Sequence, residues 1–242
     1  MFDKSADIYD AIYSFKDYET EATEIHRLIQ ERKPGARTLL DVACGTGAHL
    51  EHLARHYEVE GLDLEGALLE MARARLPDVS LHKGDMVDFE LDKTFDVVTC
   101  LFSSIGYVET ETDLGRAIES MAKHLEPGGV LIVEPWLEPG VFTDGHLDMT
   151  PVDEPDLKVA RVSRSSIEDG ASILEFQYLV ARTDGISHFT ETHRLGLFSK
   201  EQHVRAFEAA RLSVDYHPGG LMGRGLYVAT KRVGIGVSGA KV

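Results

Sequence analysis

The sequence has few residues that bind metals or form disulfides. Its 242 residues include two cysteines, Cys44 and Cys100, which are too few for a disulfide framework and lack the C-x-x-C and zinc-ligand spacings. His49, His52 and His56 lie near one helix face, and the last two have the i, i+4 spacing of a metal-ligand pair. No acidic or cysteine partner accompanies them, so we expect solvated surface histidines and no metal site.

Positive charge and long apolar runs are also scarce. Lys and Arg number 25 against 41 Asp and Glu, a net charge of -16. Nucleic-acid binding needs basic surface, so no nucleic-acid partner is expected. No apolar stretch approaches the ~20 residues of a membrane span, and the start from Met1 to Asp10 is too polar for a signal peptide. We expect a cytoplasmic protein without a membrane partner, built as one α/β domain with an elaboration.

One apolar run that ends in a glycine turn organises the chain. Residues from Leu39 to Ala43 are typical of a central strand in a parallel sheet, which is covered on both faces. Gly45 and Gly47 follow, where the chain must turn sharply and a ligand can approach the backbone. Apolar residues at helical spacing come next, beginning at Leu50. Strand, glycine turn and helix predict the first crossover of a nucleotide-binding α/β sheet.

The same turn distinguishes two ligand classes. Position 50 is Leu, so the third glycine of the dinucleotide pattern G-x-G-x-x-G is missing. Asp41 lies inside the strand end, where a carboxylate repels a pyrophosphate and can face a cationic ligand. We therefore favour a positively charged, phosphate-free cofactor. A nicotinamide-dependent oxidoreductase remains as the alternative from a different class.

Acidic residues follow two further predicted strands. Asp63 ends the strand that begins at Tyr57, and it lies 22 residues past Asp41, which suits a carboxylate that receives two ribose hydroxyls. Asp85 follows a short third strand; it can accept from an exocyclic amine while Met86 covers a purine ring, or it can serve only the local turn. These positions favour a nucleoside ligand at the carboxyl ends of the strands.

The later chain changes from a parallel to an antiparallel pattern. A fourth strand from Phe95 to Phe102 is predicted to end beside the glycine turn, so the chemistry is expected near Leu101 to Tyr107. A helix that includes Leu125 is expected to end at Pro127, before a fifth strand that starts at Val130. Alternating runs between Lys158 and Phe198, separated by Asp-Gly turns, predict an inserted antiparallel sheet. Ser199 and Gln202 then match a capping box.

Several stretches resemble known families. Leu40 to Gly47, Gly84 to Met86, Leu125 to Gly129 and Glu134 to Trp136 resemble the motifs of class I S-adenosylmethionine-dependent methyltransferases. The chain is more specifically similar, from Asp7 to Thr230, to the bacterial dTDP-amino-sugar N,N-dimethyltransferases of macrolide deoxysugar pathways. The more specific stretches are Phe102 to Gly106, Ala160 to Ser163 and Gly223 to Leu226. The chain departs from that family at Leu137, where a second tryptophan is usual, and at the variable position of Tyr107.

The resemblance implies a fold and an organisation. We expect an α/β protein with the Rossmann-like, mostly parallel seven-stranded sheet of class I methyltransferases and an inserted small antiparallel sheet. The expected parts are an N-terminal helical cap (1–35), a cofactor-binding α/β domain (36–140 and 199–231), an inserted substrate-binding and oligomerisation sheet (141–198) and a flexible tail (232–242).

The resemblance to these methyltransferases also implies a reaction. The expected activity is N-methylation, with N,N-dimethylation expected, of the amino group of a dTDP-linked amino-deoxysugar in antibiotic biosynthesis. S-adenosyl-L-methionine is the implied cofactor, S-adenosyl-L-homocysteine the product, and no metal is needed. A homodimer through the inserted sheet is a further expectation. The open alternative is N- or O-methylation of an amine, amino acid or hydroxyl group that carries no nucleotide.

The expected site residues follow from the motifs and the resemblance. Tyr13 matches a family tyrosine at the substrate amine, and with Tyr107 it is the catalytic candidate, since both hydroxyls can orient the amine. A cluster of Tyr9, Tyr13, Phe15 and Tyr18 either caps the core edge or covers the cofactor. Besides Tyr13, the expected substrate contacts are Ser103, Ser104, Trp136, Arg161 and Arg224. The expected cofactor contacts are Tyr18, Asp41, Ala43, Gly45, Thr46, Gly47, Asp63, Leu64, Asp85, Met86 and Leu101.

Overall fold

The computed structural model describes residues 4–233 and arranges them around two separate sheets. The strands are β1 (Thr38–Val42), β2 (Glu58–Asp63), β3 (Ser80–Lys83), β4 (Phe95–Cys100), β5 (Leu125–Val133), β6 (Leu147–Glu154), β7 (Leu157–Glu168), β8 (Ala171–Arg182), β9 (Gly185–Gly196), β10 (Leu212–His217) and β11 (Leu226–Lys231). The α-helices are α1 (Tyr9–Ile12), α2 (Tyr18–Arg32), α3 (Ala48–Leu53), α4 (Gly66–Arg75), α5 (Glu111–Lys123) and α6 (Lys200–Ala209). Most of the tail expected to be flexible lies outside the described residues.

The larger sheet has seven strands in the order β10-β11-β5-β4-β1-β2-β3. Strands β1 to β5 are parallel, whereas β11 pairs antiparallel with β5 and with β10. The strand order therefore reverses at β1, which has β2 on one side and β4 on the other. In such sheets ligands bind outside the carboxyl ends of the strands at this reversal. The fold class expected from the sequence is confirmed.

The apolar run of β1 explains its central place. Leu39, Leu40 and Val42 are fully buried, because both faces of the strand are covered. Leu39 packs in a cluster with α2 and α3, whereas Leu40 and Val42 pack in another with α5 and α6. Successive side chains of β1 therefore pack in two hydrophobic clusters, one on each face of the sheet, as a doubly covered parallel sheet requires.

The smaller sheet is an antiparallel meander of β6, β7, β8 and β9, inserted between β5 and α6. The inner face of this sheet forms a third hydrophobic cluster, in which Ile8 and Ile12 of the N-terminal segment (residues 4–17, before α2) pack on Val159, Phe176 and Tyr178. The N-terminal segment therefore contacts the inserted sheet as well as the larger one.

Two element boundaries differ from the sequence-based predictions. The helix expected to include Leu125 ends at Lys123, and β5 begins at Leu125. The reason is a strand contact, since the amide of Phe95 donates to the carbonyl of His124 at 2.8 Å and Phe95 pairs with Leu125. Strand β6 escaped prediction because its residues are mostly exposed and show no regular apolar alternation.

A buried cluster of charged side chains joins the N-terminal segment to helices α2 and α3. Lys16 Nζ lies 2.6 Å and 2.7 Å from the two carboxylate oxygens of Glu21, and His49 Nε2 lies 2.7 Å from one of them. Burial acts to raise the pKa of Glu21, but hydrogen bonds from His49 and Lys16 outweigh it and lower the pKa. The expectation that His49 is a solvated surface side chain is wrong, because only 7% of it is exposed.

A second cluster joins the same segment to the glycine turn. Arg75 Nη2 lies 2.6 Å from Asp10, and Arg75 Nη1 donates to the backbone carbonyl of Thr46 at 2.7 Å. The hydroxyl of Thr46 donates to Asp10 at 2.8 Å. Helices α1 and α4 are thereby tied to the turn that follows β1.

We expect Glu21→Ala to lower the free energy of unfolding by about 3 to 5 kcal/mol, because it leaves Lys16 buried without its carboxylate. The control is Glu24→Ala on the same helix, whose ion pair with Arg27 is exposed and is expected to change stability by less than ~0.5 kcal/mol. Urea unfolding measures both variants. Equal losses in the two would contradict a structural role for the buried cluster.

Candidate active site

A single cavity of about 1020 Å³ opens at the carboxyl ends of β1, β2 and β4. The larger sheet contributes the turns after these strands, the N-terminal segment contributes aromatic rings, and the inserted sheet closes the far side. This volume is at the upper limit of the ~300–1,000 Å³ usual for one ligand. The cavity is therefore large enough for two ligands side by side.

The glycine turn forms one wall, and its two glycines have different roles. Gly45 has φ +56°, and a Cβ there would meet no atom within 4 Å; the residue lines the cavity. Gly47 has φ +76°, and its Cβ would lie 3.1 Å from Leu76 Cδ1. Gly45 thus leaves room for a ligand at the backbone, whereas Gly47 permits α3 and α4 to pack closely.

Asp63 lies at the cavity as the sequence predicts. One carboxylate oxygen accepts from the amide of Gly45 at 2.8 Å, and the other accepts from the amide of Glu65 at 2.8 Å. Burial raises the pKa of Asp63, and these two hydrogen bonds act in the opposite direction. The carboxylate is held rigidly and each oxygen keeps further acceptor capacity, which suits a pair of ribose hydroxyls.

Apolar residues lie next to this carboxylate. Leu64 is 54% exposed although it is large and apolar, and it lines the cavity together with Ala43 and Met86. Asp85 also lines it, and its carboxylate accepts locally from the amide of Val87 at 2.9 Å. An exposed leucine beside a methionine can cover a flat apolar ring, so the residues present fit a nucleoside.

Five expected cofactor contacts lie outside the cavity lining, namely Tyr18, Asp41, Thr46, Gly47 and Leu101. Asp41 is buried and accepts from the hydroxyl of Thr99 at 2.7 Å, while the ring of Tyr18 meets the edge of His49. The contact of all five residues with a ligand stays a prediction.

The loop after β4 is strained and is held by the Glu-Pro segment. Phe102 and Ser103 have φ values of +51° and +61°, a region that non-glycine residues rarely adopt. The amide of Phe102 donates to Glu134 Oε2 at 2.7 Å, and the hydroxyl of Ser103 donates to the carbonyl of Pro135 at 2.7 Å. Glu134 is fully buried, and burial raises its pKa. This supporting role of Glu134 was not predicted from the sequence.

The two tyrosines proposed as catalytic residues both line the cavity. Tyr13 Oη accepts from Arg161 Nη1 at 3.1 Å, and Tyr107 Oη lies 2.7 Å from His193 Nδ1. Burial raises the pKa of Tyr107 well above its usual value, so its hydroxyl stays protonated. The ring of Tyr9 lies 4.7 Å from that of Tyr13, and the interpretation of the N-terminal rings as a cover fits this arrangement.

The two preferred arginines also line the cavity. Arg161 is 8% exposed and donates to Tyr13 and Thr150. Arg224 donates to Ser103 Oγ at 3.0 Å, and its guanidinium lies 4.9 Å from the ring centre of Trp136. Among residues 4–233, neither guanidinium has a carboxylate within 4 Å. Cations that have no carboxylate within 4 Å predict that the cavity takes an anionic ligand.

All six expected substrate contacts line the cavity, but other lining residues were missed, among them His193 and Phe176. His193 and Phe176 come from the inserted sheet and line the cavity. Nothing in the sequence marks them, because their place depends on the register of four antiparallel strands. Ser104 lies in the lining as expected.

Residues 4–233 contain neither a metal-binding cluster nor a membrane-spanning helix. No three His, Cys, Asp or Glu side chains there are grouped so that they could hold a metal ion. No helix in that range is both long enough and apolar enough to cross a membrane.

Comparisons with known proteins agree with this geometry. A family model described as "Methyltransferase domain" matches residues 39–129. The chain is 47% identical over 240 residues to the dTDP-3-amino-3,6-dideoxy-alpha-D-glucopyranose N,N-dimethyltransferase of Streptomyces fradiae, and the match covers 98% of this chain and 91% of that protein. It is 43% identical to the dTDP-4-amino-2,3,4,6-tetradeoxy-D-glucose N,N-dimethyltransferase of Saccharopolyspora spinosa, over 93% of this chain and 92% of that protein.

Solved structures are similar over almost the same length. The crystal structure of DesVI from Streptomyces venezuelae has a TM-score of 0.89 at 46% identity, covering 93% of this chain and 98% of that one. CalS10, an amino pentose methyltransferase from Micromonospora echinaspora solved with S-adenosylmethionine bound, has a TM-score of 0.85 at 44% identity, covering 93% and 96%.

We expect Asp41→Asn to stabilise the ligand-free protein at pH 8. Burial raises the pKa of Asp41 from 3.8 to about 7, so the folded state holds a proton that the unfolded state has released. Stability therefore falls as the pH rises between these values, by an upper limit of roughly 4 kcal/mol. The difference in free energy of unfolding between Asp41→Asn and the wild type, measured with urea, should increase from pH 4 to pH 8. A gain that does not change with pH would contradict this account.

Proposed function

Because the chain belongs to the class I S-adenosylmethionine-dependent methyltransferases, in the group of the dTDP-amino-sugar N,N-dimethyltransferases, we propose that it dimethylates the amino group of a dTDP-linked amino-deoxysugar in antibiotic biosynthesis. The observation that carries this assignment is the pair of guanidinium groups, Arg161 and Arg224, that have no carboxylate within 4 Å among residues 4–233 and lie in the same cavity as the glycine turn and Asp63. Guanidinium groups in the cavity of an otherwise acidic protein fit a ligand that carries a diphosphate.

The residues on the larger sheet would hold the cofactor. Asp63 would receive the ribose hydroxyls, Gly45 leaves space at the backbone, and Leu64 and Met86 would cover the purine. When bound, S-adenosylmethionine supplies a methyl group on a sulfonium, which passes in line to a nucleophile and leaves S-adenosylhomocysteine. This chemistry needs no covalent intermediate with the protein.

The acceptor would lie against the inserted sheet. Arg161 and Arg224 would bind the diphosphate, since guanidinium groups donate in pairs to phosphate oxygens. Trp136, Ser103 and Ser104 would contact the sugar, and the hydroxyls of Tyr13 and Tyr107 would orient the amine. In this proposal residues 141–198 contribute Arg161 to the acceptor site, whereas residues 36–140 and 199–231 hold the cofactor and also supply the other acceptor contacts from the larger sheet and its loops.

The protein itself contributes alignment and the exclusion of water. Tyr9, Tyr13 and Phe15 cover the cavity from the N-terminal segment, which the Arg75 cluster ties to the glycine turn. A covered, preorganised site supplies much of the acceleration for a transfer between two bound ligands. The amine must still lose its proton before it can attack.

Mass spectrometry of the products tests the function. The enzyme and S-adenosylmethionine are incubated with dTDP-3-amino and dTDP-4-amino deoxysugars and, in parallel, with the same amino sugars lacking the nucleotide. We expect two added methyl groups on one of the dTDP sugars. Methylation of free amines or hydroxyl compounds, with none on the dTDP sugars, would favour the alternative acceptor class and overturn the proposal.

We expect Arg161→Ala and Arg224→Ala each to raise KM for the dTDP sugar about 10- to 100-fold, because each hydrogen bond to a charged group contributes about 1.5 to 3 kcal/mol. KM for S-adenosylmethionine should stay the same. Arg164→Ala is the control, since Arg164 lies on the same strand as Arg161 with its side chain 65% exposed. Unchanged KM values in the first two variants would show that the diphosphate binds elsewhere.

We also propose that two copies associate through the inserted sheet. Its strand register places five exposed apolar side chains on the outer face, away from the cavity, with Met149 directly opposite Val162. They are Leu147, Met149, Val162, Leu179 and Ile186, which are 46% to 72% exposed. A contiguous apolar face of this kind supports a protein interface.

Light scattering after gel filtration tests the dimer. The wild type is expected to have twice the 26.8 kDa mass of the chain, and Val162→Glu is expected to have the mass of one chain, because the charge would be buried at the interface. Ser187→Glu is the matched control, because Ser187 is exposed but pairs with Val180 and so lies on the opposite face of the same sheet. A monomeric wild type at micromolar concentration contradicts the proposal.

A further inference from the structure

Three polar side chains form a continuous line from the cavity into the inserted sheet. Tyr107, in the short 3₁₀ turn after β4, contacts His193 Nδ1 at 2.7 Å through its hydroxyl. His193 Nε2 lies 3.5 Å from Glu191 Oε2. His193 and Glu191 are two residues apart on β9, so their side chains point to the same face of the sheet. Both are buried, with 2% and 8% of their surface exposed.

The far end of this line is fixed by the N-terminal segment. The amide of Ser5 donates to Glu191 Oε1 at 3.1 Å, and the hydroxyl of Ser5 donates to Oε2 at 2.7 Å. Burial acts to raise the pKa of Glu191, but the nearby imidazole of His193 and the hydrogen bonds from Ser5 outweigh it and lower the pKa. Glu191 is therefore a carboxylate at neutral pH and holds its position opposite His193.

A carboxylate in this place selects one form of the imidazole. It favours the tautomer with the proton on Nε2, which leaves Nδ1 as an acceptor for the hydroxyl of Tyr107. The ring of Phe176 meets that of His193 at 5.2 Å and 90°, which restricts its rotation. Tyr107 is thus a donor toward His193, and the same residue lines the cavity.

We propose that His193, paired with Glu191, takes through Tyr107 the proton that the acceptor ammonium loses before each methyl transfer. The inference rests on the proposed function. In this step an N–H bond of the ammonium breaks, and its proton binds Tyr107 Oη while the hydroxyl proton of Tyr107 moves to His193 Nδ1. The nitrogen keeps the electron pair, and Glu191 stabilises the imidazolium. The proton then passes to solvent, and nothing is oxidised or reduced.

The surroundings favour a relay over a permanent tyrosinate. Burial raises the pKa of Tyr107 well above its usual value, so the hydroxyl passes a proton on without holding a charge. Dimethylation needs this relay twice, because the monomethylated product is again an ammonium. The other titratable or charged groups that face the line are Tyr9, Tyr13, Asp63, Arg161 and Tyr178.

The test compares pH profiles of kcat/KM for the dTDP-amino sugar. Tyr107→Phe and His193→Gln should lower kcat/KM about 100-fold at pH 7, the lower range for general acid–base catalysis. The loss should shrink to less than ~10-fold at a pH above the pKa of the substrate amine, where the acceptor is already unprotonated. Glu191→Gln should show the same trend with a smaller loss.

The control is His188→Gln, the same substitution at an exposed position of β9, which should leave the profile unchanged. A loss that is constant with pH would assign these residues a structural role only and overturn the relay, as would unchanged activity. Tyr107→Phe keeps the ring, so it decides the question if His193→Gln fails to fold.

Calorimetry with S-adenosylhomocysteine separates failure of the relay from failure of the proposed function. Variants that bind this ligand like the wild type, and methylate slowly only at low pH, support the relay. A wild type that binds it but methylates no dTDP-amino sugar overturns the proposed function and the relay together. If the wild type methylates a dTDP-amino sugar and the pH profiles of the variants run parallel to that of the wild type, the relay alone is overturned.

Discussion

The structure depends on the carboxylate of Asp63, which connects the ends of two parallel strands. It ends β2 and accepts from the amide of Gly45, in the turn that follows β1. Parallel strands end at one edge of a sheet, and the strand order reverses at β1, so a gap opens there. The carboxylate fixes the shape of that gap, and the strained loop at Phe102 and the exposed side chain of Leu64 are arranged around it.

The charge distribution separates the surface from the cavity. The chain carries a net charge of -16, yet its cavity holds Arg161 and Arg224 without carboxylate partners among residues 4–233. Burying a cation is unfavourable unless an anion accompanies it. Arg161, which is buried, therefore makes sense as part of a site completed by substrate. Arg116 also lines the cavity but pairs with Asp113, which leaves Arg161 and Arg224 available to a diphosphate.

Local sequence patterns were sufficient to predict the larger sheet but not the whole site. The apolar run of β1, the turn at Gly45, the strand that ends at Asp63 and the capping box at Ser199 are local features, and the structure has each where the sequence predicts it. Gly47 and Asp41, by contrast, lie outside the cavity lining. The burial of His49 could not be predicted, because its partner Glu21 lies 28 residues away. His193 reaches Tyr107 across 86 residues, and that contact exists only through the register of the inserted sheet.

The most direct measurement is a crystal structure with S-adenosylhomocysteine and a dTDP-amino sugar bound together. The account predicts the ribose of the first ligand at Asp63, the diphosphate of the second at Arg161 and Arg224, and the amine between them beside Tyr13 and Tyr107. Either ligand bound outside this cavity, or a diphosphate remote from both arginines, would contradict it.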